Sequence, residues 1–343
     1  MSYRYLGNKT RLTDWLVTEI SASVPRGARV ADPMCGTGAV SIGLAKAGFS
    51  VTASDSLTFP TIHARTRLLA KSQPRFEAFG GYKAVLEWLS AVEPREGYFF
   101  NEFGDQGTPA NGRAPRLYFS AENAALIDGV RHAIRDAKLS EQIDELEHAV
   151  LLQNLILATN KVANISGTYG YFRRTVSGPA LKKLTFEPLE FIHTPGRHFV
   201  TQGKVEEIAD SLSADAVYLD PPYTKRQYAG NYHVLETLAL EDCPPAVGDG
   251  GLRPWSDQAS DFCYRRKAPG AFRTVLDKLD TPHIFISYSE DGQVPPDELF
   301  ALFSEYGQVT QQERTYPRYR SNRRGKSGEI LERLYHITKE TAL

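Results

Sequence analysis

The chain has 343 residues, more than one ordinary domain, so we expect a core domain with an inserted lobe. Its 41% hydrophobic and 24% charged residues are typical of globular proteins, and no apolar run reaches the roughly 20 residues that a membrane span needs. The net charge of −1 does not by itself indicate a nucleic-acid-binding protein, so any such function must depend on local clusters.

Cysteine usage and the N-terminal residues bear on the compartment. Three cysteines, Cys35, Cys243 and Cys263, are far apart and form no Cys-x-x-Cys pair, so we predict neither a metal site nor a disulfide framework. The first residues lack the apolar run of a secretory signal. Both features predict a cytoplasmic protein.

A β-α-β pattern opens the chain. Residues 29–31 predict a strand that leads into a glycine-containing turn. A helix from Ala39 to Lys46, a strand from Phe49 to Ser54 and a helix from Thr58 to Lys71 are expected to follow.

The segment 73–195 has a different pattern, with a Gly/Pro-rich stretch at 104–115 and two predicted helices, Ala121 to Lys138 and Ser140 to Lys161. Strands are predicted again at 198–200, 216–219, 284–287, 308–314 and 330–337, and a long loop at 242–270. Alternating strands and helices predict an α/β fold with a mostly parallel sheet, formed by 1–72 and 196–343. Residues 73–195 are then a mainly helical insertion.

The turn Asp32-Pro33-Met34-Cys35-Gly36-Thr37-Gly38 lies between a predicted strand and a helix. Glycine permits a tight turn, and the free amides at the start of a helix can face a ligand. Asp55 ends the next strand, where an acidic residue can bind ribose hydroxyls or simply cap the following helix. A dinucleotide site is the competing interpretation, but Ser41 stands where its third glycine is required.

The tetrapeptide Asp220-Pro221-Pro222-Tyr223 follows the apolar strand 216–219 and carries the strongest chemical signal. The Asp220 carboxylate and the Pro221 carbonyl are two hydrogen-bond acceptors, and the proline pair contributes no backbone donor. Two acceptors can hold an amine with its lone pair turned to a methyl donor. Tyr223 offers an aromatic face on which an extruded base can stack. The alternative is a proline turn at the end of a strand.

The motifs and their order resemble the Dam-like class of adenine-specific DNA methyltransferases. The chain carries Tyr5-Leu6-Gly7-Asn8-Lys9, then the glycine turn, an insert, and only then the Asp-Pro-Pro-Tyr motif. Shorter matches within and after the insert are 166–170, 180–183, 226–228 and 231–233. The resemblance implies a Rossmann-like S-adenosylmethionine methyltransferase sheet with an inserted, mainly helical target-recognition region at 73–195.

The resemblance also implies which residues bind the cofactor, S-adenosylmethionine. Tyr5, Gly7 and Lys9 would line its pocket, with Lys9 near the methionine carboxylate. The methionine part would be held by the residues of the glycine turn, and the ribose by Asp55. The turn residues are Asp32, Pro33, Gly36 and Gly38, and Asp220 would adjoin the cofactor. Lys204 departs from the family pattern, which often has an acidic residue there to contact the cofactor's adenine ring.

Basic residues suggest where a nucleic acid would bind. The segment 314–326 interleaves arginines with tyrosines, which suits a loop that grips a phosphate backbone, although a solvated hairpin between the last two strands has the same composition. The expected nucleic-acid contacts are Arg173, Arg174, Lys225, Arg226, Arg318, Arg320, Arg323 and Arg324. An amine inside a duplex is out of reach of such a pocket, so its base must be flipped out.

These features together predict a site-specific enzyme that methylates the 6-amino group of adenine in double-stranded DNA. The expected source is a bacterium, an archaeon or a phage, with a cognate restriction endonuclease as a candidate partner. Two alternatives remain: an RNA adenine methyltransferase, and a catalytically silent nucleic-acid-binding subunit. An intact Asp220-to-Tyr223 motif argues against the silent subunit.

Overall fold

A computed structural model describes residues 5–70, 72–176, 178–317 and 328–339. Within these ranges, the strands form one seven-stranded sheet in the order β3-β2-β1-β4-β5-β7-β6. They are β1 (Arg29–Asp32), β2 (Ser50–Asp55), β3 (Phe199–Gln202), β4 (Ala216–Leu219), β5 (His283–Ser289), β6 (Gln308–Pro317) and β7 (Glu329–Thr338). Strands β1 to β5 pair in parallel, whereas β7 runs antiparallel between β5 and β6. The predicted mostly parallel α/β sheet is confirmed.

The helices of the described residues include those predicted on either side of the glycine turn and within 121–161. In chain order they are α1 (Thr13–Ser23), α2 (Ala39–Ala47), α3 (Thr58–Leu68), α4 (Tyr82–Ser90), α5 (Tyr98–Phe103), α6 (Ala121–Leu139), α7 (Glu145–Val162), α8 (Val205–Ile208), α9 (Tyr228–Asn231), α10 (His233–Leu240), α11 (Ala268–Lys278) and α12 (Pro296–Ser304). Short 3-10 turns lie at Glu77–Phe79, Gly178–Leu181, Ala209–Ser211, Ser256–Gln258 and Asp261–Cys263.

The chain forms two compact units. The first contains residues 1–6, 65–193 and 229–257, and the second contains 7–64, 194–228 and 258–343. All seven strands belong to the second unit, and α4 to α7 belong to the first. The first unit therefore takes in residues 229–257 as well as the predicted insert. That the insert recognises the target sequence stays a prediction.

Apolar strands account for the core of the sheet unit. All four residues of β4 are buried, because a central parallel strand is covered on both faces. Val217 and Leu219 pack in one cluster with Phe272 of α11 and Phe303 of α12. The polar ends of β1 and β4 are therefore held by a rigid, close-packed support.

Helix α7 begins five residues later than the sequence pattern predicted, at Glu145 rather than Ser140. Its N-terminus is set by a capping box: the Asp144 carboxylate accepts a hydrogen bond from the Glu147 amide at 2.8 Å, and the Glu147 carboxylate accepts from the Asp144 amide at 3.1 Å. The Asp-x-x-Glu spacing is visible in the sequence. Apolar periodicity alone overlooks it.

Replacing Asp144 with alanine is expected to lower the free energy of unfolding by about 1 kcal/mol, because the first turn of α7 loses its capping acceptor. Urea denaturation followed by circular dichroism measures this change. Asp136→Ala, an exposed position of α6, is the matched control and should change stability little. Equal stabilities for both variants would contradict the capping role.

The loop predicted at 242–270 is shorter and more ordered than expected. Val247 and Leu252 form an antiparallel bridge, two 3-10 turns follow, and α11 already begins at Ala268. Pro269 lies in the first turn of α11, where its missing amide hydrogen leaves no bond unmade. The glycine and proline content indicated a loop, although a proline at this position favours the start of a helix.

Candidate active site

The site lies where the strand order reverses. Strand β1 has β2 on one side and β4 on the other, and crevices for ligands form at the carboxyl ends of strands at such a switch point. Asp32 is the last residue of β1, and Asp220 directly follows β4. The sheet therefore brings together two carboxylates that are far apart in the sequence.

The glycine turn after β1 has the conformation that its residues predict. Gly36 and Gly38 have φ angles of 49° and 66°, in the left-handed region that glycine adopts without strain. The Cys35 amide donates to the Ser54 carbonyl at 2.9 Å, which ties the turn to the neighbouring strand β2. A side chain at either glycine would strain the turn and narrow the approach to its backbone.

Asp32 is buried and incompletely paired. Its Oδ2 accepts a hydrogen bond from the Ser41 hydroxyl at 2.5 Å, whereas its buried Oδ1 has no hydrogen-bond partner in the part of the chain that the structure describes. Burial raises the pKa of Asp32 to about 7, opposed by the Ser41 bond and assisted by the negative charges of Asp220 and Asp55. Such a carboxylate is suited to binding a cationic ligand group.

Asp55, at the carboxyl end of β2, supports both the glycine turn and the turn before α3. Its Oδ2 accepts from the Gly36 amide and its Oδ1 from the Leu57 amide, each at 3.0 Å. The second bond closes a local turn just before α3 and does not reach an amide of the helix itself. An acidic residue at the carboxyl end of this strand is also placed where it can accept hydrogen bonds from ribose hydroxyls.

Asp220 forms a buried ion cluster with residues from both ends of the chain. Its Oδ1 lies 2.7 Å from Lys9 Nζ, and Lys9 Nζ is also 3.3 Å from Glu332 Oε1 on β7. The side chains of Lys9 and Glu332 are 3% and 0% exposed, against 17% for Asp220. Asp220 is thus the one member of this trio that faces outward.

The charges of the cluster set the ionisation of Asp220. Burial raises its pKa to about 6, Lys9 opposes this, and Glu332 adds to it. Burial alone would lower the pKa of Lys9, but Asp220 and Glu332 raise it well above the ordinary value. At pH 7 Asp220 is therefore mostly a carboxylate, able to accept a hydrogen bond, beside a permanent ammonium group.

The rest of the tetrapeptide is held by burial and by a hydrogen bond to its last residue. Pro221 is buried, and the Tyr223 carbonyl accepts a hydrogen bond from the Gln293 amide at 3.0 Å. Burial raises the pKa of Tyr223 to about 12, so its ring stays a neutral phenol. Lys9 Nζ lies 5.2 Å from the centre of that ring. The structure thus places an acceptor and an aromatic ring side by side.

Gly7 and Tyr5 belong to different compact units. Gly7 has a φ of 69°, and a Cβ at this position would lie 2.9 Å from the Tyr228 hydroxyl, so only glycine fits. The Tyr5 ring stacks on Tyr232 at 5.0 Å between centroids. The N-terminal motif therefore has a packing reason at each of these positions.

The structure describes four of the eight residues that are expected to bind nucleic acid. Arg173 and Arg174 are exposed in the first unit, and Lys225 and Arg226 are exposed in the second. The backbone beside Arg226 is fixed, because the Gln227 side chain exchanges two hydrogen bonds with the Ser260 backbone, each at 2.9 Å. Arg318, Arg320, Arg323 and Arg324 lie outside the described residues, between β6 and β7.

His233, the histidine nearest to the tetrapeptide in sequence, belongs to the interior of the first unit. Its Nε2 lies 2.9 Å from the Tyr169 carbonyl, which can only accept, so this nitrogen carries the hydrogen. Burial lowers the pKa of His233 to about 4. A neutral, fully buried imidazole is suited to a structural role.

Two residues of the cluster were not foreseen from the sequence, Glu332 and Ser287. Glu332 lies in β7 on the same face as the buried residues Ile330 and Leu334, where an apolar residue is expected. An acidic residue on the apolar face of a strand was the available signal. Ser287, whose hydroxyl donates to Glu332 at 2.6 Å, gave no such signal, because its partner lies 45 residues later in the chain.

No described helix is long and apolar enough to cross a membrane. In the same ranges, no group of three His, Cys, Asp or Glu residues is arranged to hold a metal ion.

Comparison with known proteins gives consistent matches. The model of the MethyltransfD12 family, described as D12 class N6 adenine-specific DNA methyltransferases, matches residues 5–287. The chain is 32% identical to the type II methyltransferase M.FokI of Planomicrobium okeanokoites, over 99% of this chain and 53% of that protein. It is 34% identical to the modification methylase LlaI of Lactococcus lactis subsp. lactis, over 95% of this chain and 53% of that protein.

A third relative is matched along nearly its whole length. The chain is 31% identical to the type II methyltransferase M.NlaIII of Neisseria lactamica, over 98% of this chain and 99% of that protein. The chain thus spans about half the length of the first two relatives. On this agreement over most of its length, the chain belongs to the D12 class of N6 adenine-specific DNA methyltransferases.

Proposed function

We propose that the protein is a site-specific DNA methyltransferase that transfers a methyl group from S-adenosylmethionine to the 6-amino group of adenine. The observation that carries this proposal is the ionised, outward-facing carboxylate of Asp220, held by Lys9 at the carboxyl end of β4. Membership of the family supports the substrate class. A carboxylate here can accept a hydrogen bond from an amine.

The chain's own residues fit the cofactor. Enzymes of this family use S-adenosylmethionine, which supplies an electrophilic methyl group on its sulfonium when bound. The buried Oδ1 of Asp32, which has no hydrogen-bond partner among the described residues, is suited to the ammonium of its methionine part. The backbone of Gly36 and Gly38 would lie against the same part, and the Asp55 carboxylate at the end of β2 would accept from the ribose hydroxyls.

The acceptors of the tetrapeptide would orient the target amine. Asp220 takes one of its two hydrogens and the Pro221 carbonyl takes the other, which turns the nitrogen lone pair toward the methyl group. Tyr223, a neutral phenol half-buried beside Asp220, would stack on the base. Catalysis of this kind depends on positioning and electrostatics and requires no separate general base.

Residues outside the tetrapeptide would bind the DNA strand while the base is flipped out. A paired adenine hides its amine, so the base must leave the duplex while phosphate contacts hold the strand. The exposed Arg173 and Arg174 of the first unit, and Lys225 and Arg226 beside the tetrapeptide, are proposed phosphate contacts. Within the insert, the exposed Tyr171 stacks on Phe172 with 4.5 Å between ring centroids. These rings directly precede Arg173 and Arg174 in the sequence, which suits contact with bases.

Replacing Asp32 with asparagine is expected to weaken S-adenosylmethionine binding by about 10- to 100-fold at pH 8, because a charged hydrogen bond is lost. A cationic ligand favours the ionised form of Asp32, whose pKa is about 7. Affinity for the wild-type protein should therefore rise as pH increases through 7, and Asp32→Asn should lose that rise. Isothermal titration calorimetry measures both. Asp14→Asn, at an exposed position of α1, should bind as the wild type does.

The proposed function is tested by incubating the purified protein with S-adenosylmethionine and either mixed-sequence duplex DNA or RNA of the same sequence. Nucleoside mass spectrometry should detect 6-methyladenine in the DNA. Methylation of RNA alone would favour the RNA enzyme, and methylation of cytosine alone would refute the adenine assignment. A protein that binds DNA but transfers no methyl group would be the silent subunit.

The type II naming of the relatives supports a further proposal, that a restriction endonuclease of the same specificity accompanies the protein. DNA as the substrate implies that the protein works beside the genome, which in a bacterium is in the cytoplasm. Methylation-sensitive sequencing of the modified DNA gives the recognition site. An endonuclease encoded nearby that cuts that site only when it is unmethylated would support the pairing.

A further inference from the structure

Glu332 is a buried carboxylate that no motif of the chain accounts for. It lies on β7, and its side chain is 0% exposed. Its Oε1 accepts a hydrogen bond from the Ser287 hydroxyl at 2.6 Å and lies 3.3 Å from Lys9 Nζ. The Tyr316 hydroxyl donates to its Oε2 at 3.4 Å. Donors from β5 and β6, together with Lys9, therefore hold this carboxylate in a fixed place.

The arrangement gives one ammonium group to two carboxylates. Lys9 Nζ is 2.7 Å from Asp220 and 3.3 Å from Glu332. A second buried carboxylate is a poor way to stabilise a core, because an apolar residue of similar size avoids its desolvation. What Glu332 does provide is a second, fully buried partner for Lys9 that competes with the outward-facing Asp220.

We propose that Glu332 is a positioning residue for methyl transfer, which holds Lys9 and thereby preserves the negative charge of Asp220 toward the target amine. The inference depends on the proposed function. Lys9 already bonds one oxygen of Asp220 at 2.7 Å, and without a second carboxylate its whole charge would act on Asp220. Shared with Glu332, the ammonium fixes Asp220 in place while leaving it a strong acceptor.

The charged groups around Asp220 shift its pKa in directions that can be measured. Lys9 lowers the pKa of Asp220, and Glu332 raises it. The other titratable neighbours are Asp32 on β1 and three phenols. Tyr218 lies on β4, Tyr223 follows β4, and Tyr316 lies on β6. Burial raises the pKa of each phenol, so all three stay neutral below pH 9.

Asp32 is the neighbour that titrates in the same range, because its pKa is about 7. Measuring kcat with saturating S-adenosylmethionine removes this complication, since a bound cation keeps Asp32 ionised. The acidic limb of the kcat profile then reports the ionisation of Asp220. Because Glu332 and Lys9 shift the pKa of Asp220 in opposite directions, removing one or the other must move the acidic limb of the kcat profile in opposite directions.

The test measures kcat for methylation of duplex DNA between about pH 5 and 9. Glu332→Gln should lower the maximum kcat by about tenfold, because the charge of Lys9 is then no longer shared with a second carboxylate. It should also move the acidic limb of the kcat profile to lower pH by about 1 unit. Lys9→Met should move the limb to higher pH. Glu313→Gln is the control, because Glu313 is a partly exposed carboxylate on β6 that pairs with Arg333, and it should change neither value.

If Glu332 had only a structural role, Glu332→Gln would lower the maximum kcat without moving the acidic limb of the pH profile. That result would overturn the proposal. If Glu332→Gln does not fold, Glu332→Asp carries the test, since it keeps the charge but draws it back from Lys9. A smaller shift to lower pH is then expected, and an unchanged limb would overturn the proposal. If the wild-type protein methylates no DNA, the proposed function fails instead.

Discussion

Replacing Asp220 with alanine is expected to lower the rate of methyl transfer to DNA by about 10³-fold, while binding of S-adenosylmethionine is largely retained. The variant loses the carboxylate that would hold the target amine. Lys9 keeps Glu332 as a partner at 3.3 Å, so no buried charge is left unpaired and the protein should stay folded. Single-turnover kinetics with a radiolabelled methyl group measures the rate, and calorimetry measures the binding.

Two further variants sharpen this expectation. Asp220→Asn keeps an acceptor oxygen without its charge, so its rate should fall between those of the wild type and Asp220→Ala. Asp210→Ala, at an exposed position before β4, is the matched control and should match the wild type. A lost affinity for the cofactor in Asp220→Ala, with little change in the chemical step, would mean that Asp220 binds the cofactor rather than the amine.

Replacing Lys9 with methionine is expected to lower the free energy of unfolding by about 3–5 kcal/mol at pH 8, because two buried carboxylates lose their shared cation. The loss should shrink as pH falls. Asp220, whose pKa is already raised to about 6, takes up a proton more readily once Lys9 is gone, and a neutral carboxyl needs no partner. Urea denaturation at several pH values measures both effects.

A second substitution shows whether Lys9→Met loses stability through the buried charges or through packing of the side chain. Glu332→Gln in the Lys9→Met background removes one of the unpaired carboxylates and should restore stability at pH 8 by about 1–3 kcal/mol. In the wild-type background the same substitution removes a partner of Lys9 and should not stabilise the protein. Additive effects of the two substitutions would show that Lys9 and Glu332 do not interact.

The sequence predicts the parts of this site whose signals are local. Strand β4 runs from Ala216 to Leu219 as expected, because four apolar residues are followed by Asp-Pro, which ends the strand. The glycine turn is similar: a strand, two glycines with positive φ and a helix follow one another within a few residues. Each of these features depends on neighbouring residues alone.

The pairing of the site residues could not be predicted in the same way. Lys9 and Asp220 are separated by 211 positions, and only the sheet order and the path of the N-terminal segment bring them together. The resemblance to known methyltransferases suggested Lys9 for the cofactor pocket, whereas the structure gives its ammonium two carboxylate partners. Glu332 showed only an acidic residue where an apolar one is usual.

The central claim is that Asp220 presents an adenine amine to the methyl group, and transfer of an isotope-labelled methyl group tests it most directly. Duplex DNA is incubated with labelled S-adenosylmethionine and either the wild-type protein or Asp220→Ala, and the nucleosides are then separated by mass spectrometry. We expect labelled 6-methyladenine from the wild type and only a trace from the variant. Equal labelling by both proteins, or label in cytosine alone, would contradict the claim.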